Sequence, residues 1–163
     1  MSAANRYKPH LVMIPEDDAN RQMAIGFINH HAVDDQCSYV VTPSGGWTHV
    51  LSDFQTAYIP YLHKWPNAYV VLLIDFDDRD NRREECEATI PDDLKPRVFV
   101  IGSKQYPEAA SADIGESLER IGTQLADECC SGQYLIWTSN RFDHNTTERI
   151  LLAEAVHHFL FHS

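Results

Sequence analysis

Six consecutive residues, Tyr69-Val70-Val71-Leu72-Leu73-Ile74, run without a polar break and then stop at Asp75-Phe76-Asp77-Asp78. A strand with one wet face alternates apolar and polar positions. A short, β-branched run that is apolar throughout belongs instead to a strand covered on both faces. Such a strand requires a layer on each side, so the chain must supply helices to both faces of a sheet.

The remaining pattern supplies them. Leu11 to Ile14 form a second buried-strand run, ended by Pro15-Glu16-Asp17-Asp18. Asp18 is expected to cap a helix whose Met23, Phe27 and Ile28 share a face, widened by Ala24 and Ile25. Cys37 to Thr42 predicts a strand that breaks at Pro43-Ser44-Gly45-Gly46. Val50, Phe54, Ala57, Tyr58 and Tyr61 then keep helical spacing, and Pro60 should end or kink that helix. Arg79 to Lys95 reads as a polar loop carrying a short helix, and Arg97 to Ile101 as a fourth strand closed by Gly102. Two helices are expected at the end. One covers 114–128 with Ile114, Leu118, Ile121 and Leu125; the other covers 148–161 with Ile150, Leu151, Ala155, Phe159 and Leu160. The order β-α-β-α-β-(α)-β-α-α predicts an α/β fold, a Rossmann-like parallel sheet with helices on both faces.

The 163 residues suit a single domain, with a core over about 10–105 and C-terminal helices over about 113–161. No apolar run approaches the roughly 20 residues of a membrane span, so no membrane partner is expected. The opening MSAANRYKPH has no apolar stretch before LVMI, which predicts a chain without a secretory signal that stays in the cytoplasm. Cys129 and Cys130 are adjacent while Cys37 and Cys86 stand alone, so neither a disulfide framework nor a zinc site is expected. The net charge of −11 argues against a broadly basic surface for nucleic acid, because phosphate neutralisation dominates such binding. A cation can still bridge an acidic pocket to phosphate, and a partner protein or second subunit can lend basic surface.

Ligands of parallel sheets sit beyond the carboxyl ends of the strands. There this chain carries Glu16-Asp17-Asp18, the turn Gly45-Gly46, and Asp75-Phe76-Asp77-Asp78. Convergent carboxylates with room for a phosphate suit magnesium or manganese, which take oxygen ligands. If strand geometry persists, Asp75 and Asp77 point to one side and Phe76 packs on the other. The plainer alternative is that these acids solubilise loops or cap helices. Glu108 is a candidate ligand for a second metal or a helix-start glutamate, and Lys104 a phosphate contact or a surface lysine. His30-His31 and His157-His158 point about 100° apart on a helix, make no chelate by themselves, and read as surface or partly buried residues. His144 sits in a loop that leads to a helix cap, with no serine or cysteine nucleophile identifiable beside it. Trp47, Trp65 and Trp137 read as packing residues rather than a base-stacking platform.

Taken together, LVMIPEDDANRQMAIGFI, VVTPSGGWTHVLSDF and VVLLIDFDDRD resemble the Toprim fold over about residues 10–105. The resemblance is to the form found in overcoming-lysogenization-defect-type nucleases and related bacterial proteins. It implies that Glu16 is the motif glutamate, a ligand or an acid-base group, and that Asp75 and Asp77 hold magnesium. It further implies a nuclease or phosphoryl-transfer activity in bacterial defence or DNA processing. Asp17 stands where these proteins commonly have glycine, and the DNA-gripping parts that usually accompany the domain are absent from this chain. The same residues also resemble a response-regulator receiver, with Asp17 and Asp18 as the acidic pair, Asp75 as phosphoacceptor and Lys104 as the late lysine. The separation between Asp18 and Asp75 is long for that family. A third reading is a non-catalytic module whose acidic face binds a basic protein, or a homo-oligomer.

Overall fold

Both faces of the central strands are dry. In the computed structural model, which describes residues 5–79 and 81–162, Leu11, Val12, Ile14, Val70 and Leu72 have no exposed surface. The strands are β1 (His10–Pro15), β2 (Ser38–Val40), β3 (Ala68–Leu73) and β4 (Val98–Ile101), all parallel in the order β2-β1-β3-β4. β1 and β3 run side by side from His10 opposite Ala68 to Pro15 opposite Leu73. The predicted α/β parallel sheet is therefore observed; β1 extends one residue beyond its apolar run at each end, β3 is shifted by one residue, and β2 and β4 are shorter than expected.

Helix α1 (Asp18–Ile28) carries the chain from β1 outward to β2. The next connection reverses across β1 to reach β3 through α2 (Trp47–Asp53), a π-helical turn (Phe54–Tyr58) and α3 (Ile59–Lys64). Because parallel crossovers share one hand, reversing direction moves the covering helices to the opposite face. One apolar cluster accordingly joins Leu11, Met13, Val71 and Phe99 to Met23 and Phe27 of α1. The other joins Val12, Ile14, Val70 and Leu72 to Val50, Phe54 and Leu62. Helix α4 (Asn81–Glu87) and a 3₁₀ segment (Asp92–Arg97) complete that second face, with Cys86, Ile90 and Leu94 buried. Helices α5 (Pro107–Ile114), α6 (Leu118–Ser131) and α7 (Thr146–Leu160) return to the first.

Four expectations are corrected. Asp17, not Asp18, caps α1, its carboxylate accepting from the Asn20 amide at 3.0 Å. Pro60 does not end its helix. Proline lacks the donor for the carbonyl four residues earlier, and the π-helical turn at Phe54–Tyr58 precedes it, so the rod continues to Lys64. Ile114 closes α5 rather than opening the next helix. Gly115 adopts φ 78°, and Ser117 starts α6 by accepting from the Arg120 amide. The last helix is rotated from its expected phase: Arg149, Leu152, Val156 and Leu160 are buried, whereas Ile150 and Leu151 are exposed.

Helices α1 and α6 touch through backbone. A methyl on Gly26 would lie 1.9 Å from the Glu119 carbonyl oxygen, and one on Gly122 would lie 1.9 Å from that of Met23. Thr123 Oγ1 donates to the Gly26 carbonyl at 3.0 Å across the same seam. The Gly122→Ala variant is expected to lose about 1–3 kcal/mol, the usual penalty for overpacking. At roughly 2–4 °C per kcal/mol for a chain of this size, the loss is readable by thermal melting. An unchanged midpoint would show that the two helices separate without penalty.

Candidate functional site

The reversal of direction between β1 and β3 makes their carboxyl ends the switch point of the sheet, where the flanking connections diverge and leave a crevice. The ladder changes character there. Glu16 N–H donates to the Leu73 carbonyl at 2.8 Å, and in a parallel ladder the next rung would run from the Asp75 N–H to the Glu16 carbonyl. That carbonyl is taken instead by the Gly45 and Gly46 amides, at 2.9 and 3.2 Å. The Asp75 amide donates to Glu16 Oε2 at 2.6 Å, so a carboxylate replaces a backbone rung. Gly45 and Gly46 adopt φ 95° and 147°, which disfavour a side chain at either position.

Asp75 follows directly and is 8% exposed. Its Oδ1 accepts from Asn20 Nδ2 at 2.8 Å, and the same amide donates to Asp17 Oδ1 at 2.9 Å. Asn20 thus ties the helix cap to the end of β3. Arg82 of α4, 4% exposed, donates to the Asp75 carbonyl and to Asp77 Oδ2 at 2.9 Å, while its guanidinium lies 4.6 Å from the Trp47 ring centre. Burial, then the nearby charges of Asp17, Glu16 and Asp77, raise the Asp75 carboxyl to about 7 against the pull of Asn20. Burial also raises Glu16, offset in part by the bond from the Asp75 amide.

Of the candidate site residues, the structure brings Glu16 and Asp75 together. The other acids have separate commitments. Asp17 caps α1, Asp18 is exposed and bonds Gln22 and Arg21, and Asp78 accepts from Gln105 Nε2 at 2.7 Å. The strand geometry that would send Asp75 and Asp77 to one side does not persist. β3 ends at Leu73 and Asp77 turns into the left-handed region at φ 48°, held by its amide bond to the Gln105 carbonyl. Phe76, 4% exposed, packs into the second cluster as anticipated. Glu108 lies exposed in the first turn of α5, and Lys104 is exposed after β4.

Of the histidines, His30 is buried rather than superficial, with Nε2 3.1 Å from Asp127. His144 packs edge-on against Phe76, and burial together with Arg83 lowers its pKa to about 4. Trp137 is buried and bonds the Leu125 carbonyl, whereas Trp47 serves as a platform for Arg82. Sequence reasoning missed Asn20 and Arg82. Asn20 had a signal, a polar residue three positions after a capping Asp on an otherwise apolar face; Arg82 had none.

Among the described residues, no three His, Cys, Asp or Glu side chains form a group that could hold a metal ion. The donor set is the pair Glu16 and Asp75, and among the described residues Glu16 Oε1 and Asp75 Oδ2 accept no hydrogen bond. Two buried polar atoms at this end of the sheet, Asn20 Oδ1 and Ser44 Oγ, also lack a protein partner. No described helix is long and apolar enough to cross a membrane. In comparisons with known proteins the chain matches no family model, no curated protein and no solved structure.

The raised carboxyl has a consequence for stability. Because Asp75 binds its proton more tightly folded than unfolded, its contribution to stability declines as pH rises from about 4 to about 7, and the loss persists above. Asp75→Asn keeps an acceptor for Asn20 and removes that loss. Relative to wild type, the variant is expected to gain stability between pH 5 and pH 8, by an amount on the order of a few kcal/mol. Urea unfolding of both proteins at the two pH values checks this, and parallel pH profiles would show that Asp75 ionises normally in the fold.

Proposed function

We propose that the chain is a magnesium-dependent phosphodiester-cleaving or phosphoryl-transfer domain of Toprim type, with Glu16 and Asp75 as its cation-holding carboxylates. The observation carrying this reading is their meeting at the switch point between β1 and β3, where one carboxylate binds the backbone amide of the other. Magnesium commonly takes only one or two protein carboxylates and completes its shell with water and substrate phosphate, so a two-carboxylate donor set is adequate. Manganese suits the same oxygens. When bound, the cation would supply charge to polarise a phosphoryl oxygen and to favour ionisation of an attacking water.

The chain's own groups divide the remaining work. Asn20 holds the Asp75 carboxylate by one oxygen and leaves the other for the ligand. Glu16 is anchored through Oε2, and its raised pKa suits Oε1 to take a proton from the attacking water. Arg82 fixes the Asp75 carbonyl and holds Asp77, whose charge still acts on both carboxylates. In this reading a nucleic acid meets an acidic protein through the cation, with a protein partner or second subunit lending basic surface.

One observation favours a receiver-like phosphoacceptor instead. The strand order 2-1-3-4, with an aspartate two residues past the end of β3, is that of doubly wound folds including receivers. The test is a magnesium and manganese titration followed by thermal shift, with plasmid cleavage on the same samples. It uses wild type, Glu16→Gln, Asp75→Asn and the triple variant with Asp77→Asn. Wild type is expected to gain about 2.7 kcal/mol at a hundredfold excess over Kd and to cleave. Asp75→Asn should lose both responses while remaining folded. Cleavage that survives Asp75→Asn and Glu16→Gln would overturn the assignment. Stabilisation without cleavage, combined with acetyl-phosphate labelling of Asp75, would favour the receiver; no metal response would favour a binding module.

A further inference from the structure

Beside the carboxylate site, beyond Phe76, lies a cleft of about 100 Å³ lined by Phe76, Asp78, Arg79, Arg83, Lys104 and His144. Three cations converge there on a chain whose net charge is −11. Arg83 is fixed in place. Its guanidinium bonds the Val100 carbonyl and Asn145 Oδ1, lies 4.8 Å from the Phe76 ring centre, and has Glu148 only at 3.9 Å. Arg79 and Lys104 are exposed, and among the described residues neither side chain makes an ion pair. Among the described residues the lining holds one acid, Asp78, whose carboxylate accepts from Gln105 Nε2 and whose amide donates to the Lys104 carbonyl at 2.7 Å. That bond and the Phe76 amide's bond to the Ser103 carbonyl tie the loops after β3 and β4 into one wall.

Guanidinium and ammonium groups around a small cleft are a recognition set for phosphate oxygens. We infer that this cleft is a phosphate subsite, taking the phosphate next to the one engaged at Glu16 and Asp75, so that the substrate is a strand with at least two successive phosphodiesters. The cleft itself stands on its own geometry; its place beside a cleaved bond rests on the phosphodiester reading above. Cations here would hold the strand where the carboxylates repel it, without a broadly basic surface. An anion in the cleft also opposes the charges of Arg83 and Lys104, two of the groups that hold His144 low, so its arrival raises the imidazole pKa.

The test is binding of inorganic pyrophosphate and of a 5′-phosphorylated thymidine dinucleotide in EDTA, by calorimetry and by histidine NMR titration. Wild type, Asp75→Asn and the Arg79→Gln/Lys104→Gln variant are compared, the last changing only exposed side chains. Both ligands should bind wild type, bind Asp75→Asn at least as tightly because one repelling carboxylate is gone, and raise the His144 pKa in both. The double variant should bind at least about tenfold more weakly, the effect of losing roughly one charge-assisted contact. Equal binding by wild type and the double variant, or no binding by either, overturns the subsite. Pyrophosphate binding without dinucleotide binding overturns the strand. If the subsite holds while metal-dependent cleavage fails, the phosphodiester reading falls alone; if cleavage proceeds with no anion binding in EDTA, the subsite falls alone.

Discussion

Burial of β1 and β3 on both faces means that every polar group of the central ladder must find a partner within the protein. Where the two strands end, the regular exchange of N–H and C=O can continue only if the following residues keep strand geometry. They do not, because the chain turns outward to α1 on one side and to the Asp77-Asp78 turn on the other. The Glu16 carboxylate closes the last rung by accepting the Asp75 amide, and its carbonyl closes the glycine turn after β2. Three of the four strand ends are thereby joined through one residue. A carboxylate held in this way is costly to bury unless charge or hydrogen bonds compensate it, and the site inherits that demand.

The surrounding residues answer it unevenly. Asn20 serves Asp17 and Asp75 with one amide nitrogen, and Arg82 serves the Asp75 carbonyl and Asp77 with one guanidinium nitrogen. Neither touches the remaining oxygens of Glu16 and Asp75. The carboxyl of Asp75 is consequently driven up by burial and by its neighbours. A positive ion would offset the mutual repulsion among these carboxylates, and that is the part the proposed divalent cation would play. The charges are also sorted in space: carboxylates at the β1–β3 crevice, cations one loop away between β3 and β4. Under the proposed phosphodiester reading, that separation would give a polyanion a place to approach.

Much of the fold was legible in the residues because the information is local. An unbroken apolar run identifies a doubly covered strand, and four such runs separated by amphipathic segments imply a parallel sheet. The failures were equally local in cause. The phase of α7 is not legible in sequence because Ile150 and Leu151 are as apolar as the residues that are buried, while the inward face includes Arg149, stacked on Tyr134 at 3.8 Å. The break between α5 and α6 is hidden in sequence because Ile114 keeps helical spacing with Leu118 across Gly115. Apolar periodicity cannot tell which apolar stripe meets the core.

By itself, the sequence determined that acids would gather at the carboxyl ends of parallel strands, since position after an apolar strand is a property of the chain read in order. It also determined that Gly45 and Gly46 would form a turn, because backbone freedom resides in those residues alone. Only the tertiary structure decided which acids share a site. Asp77 is two residues from Asp75 yet is diverted to Arg82 by a left-handed turn, whereas Glu16 and Asp75, distant in the chain, come within one hydrogen bond. Likewise, Arg79 and Arg83 carry no signal in order, and they join Lys104 and His144 in one cleft only when β3 and β4 pair. The physical reason is that strand register brings together residues remote in sequence, while carboxylate direction depends on backbone angles that residue type does not specify.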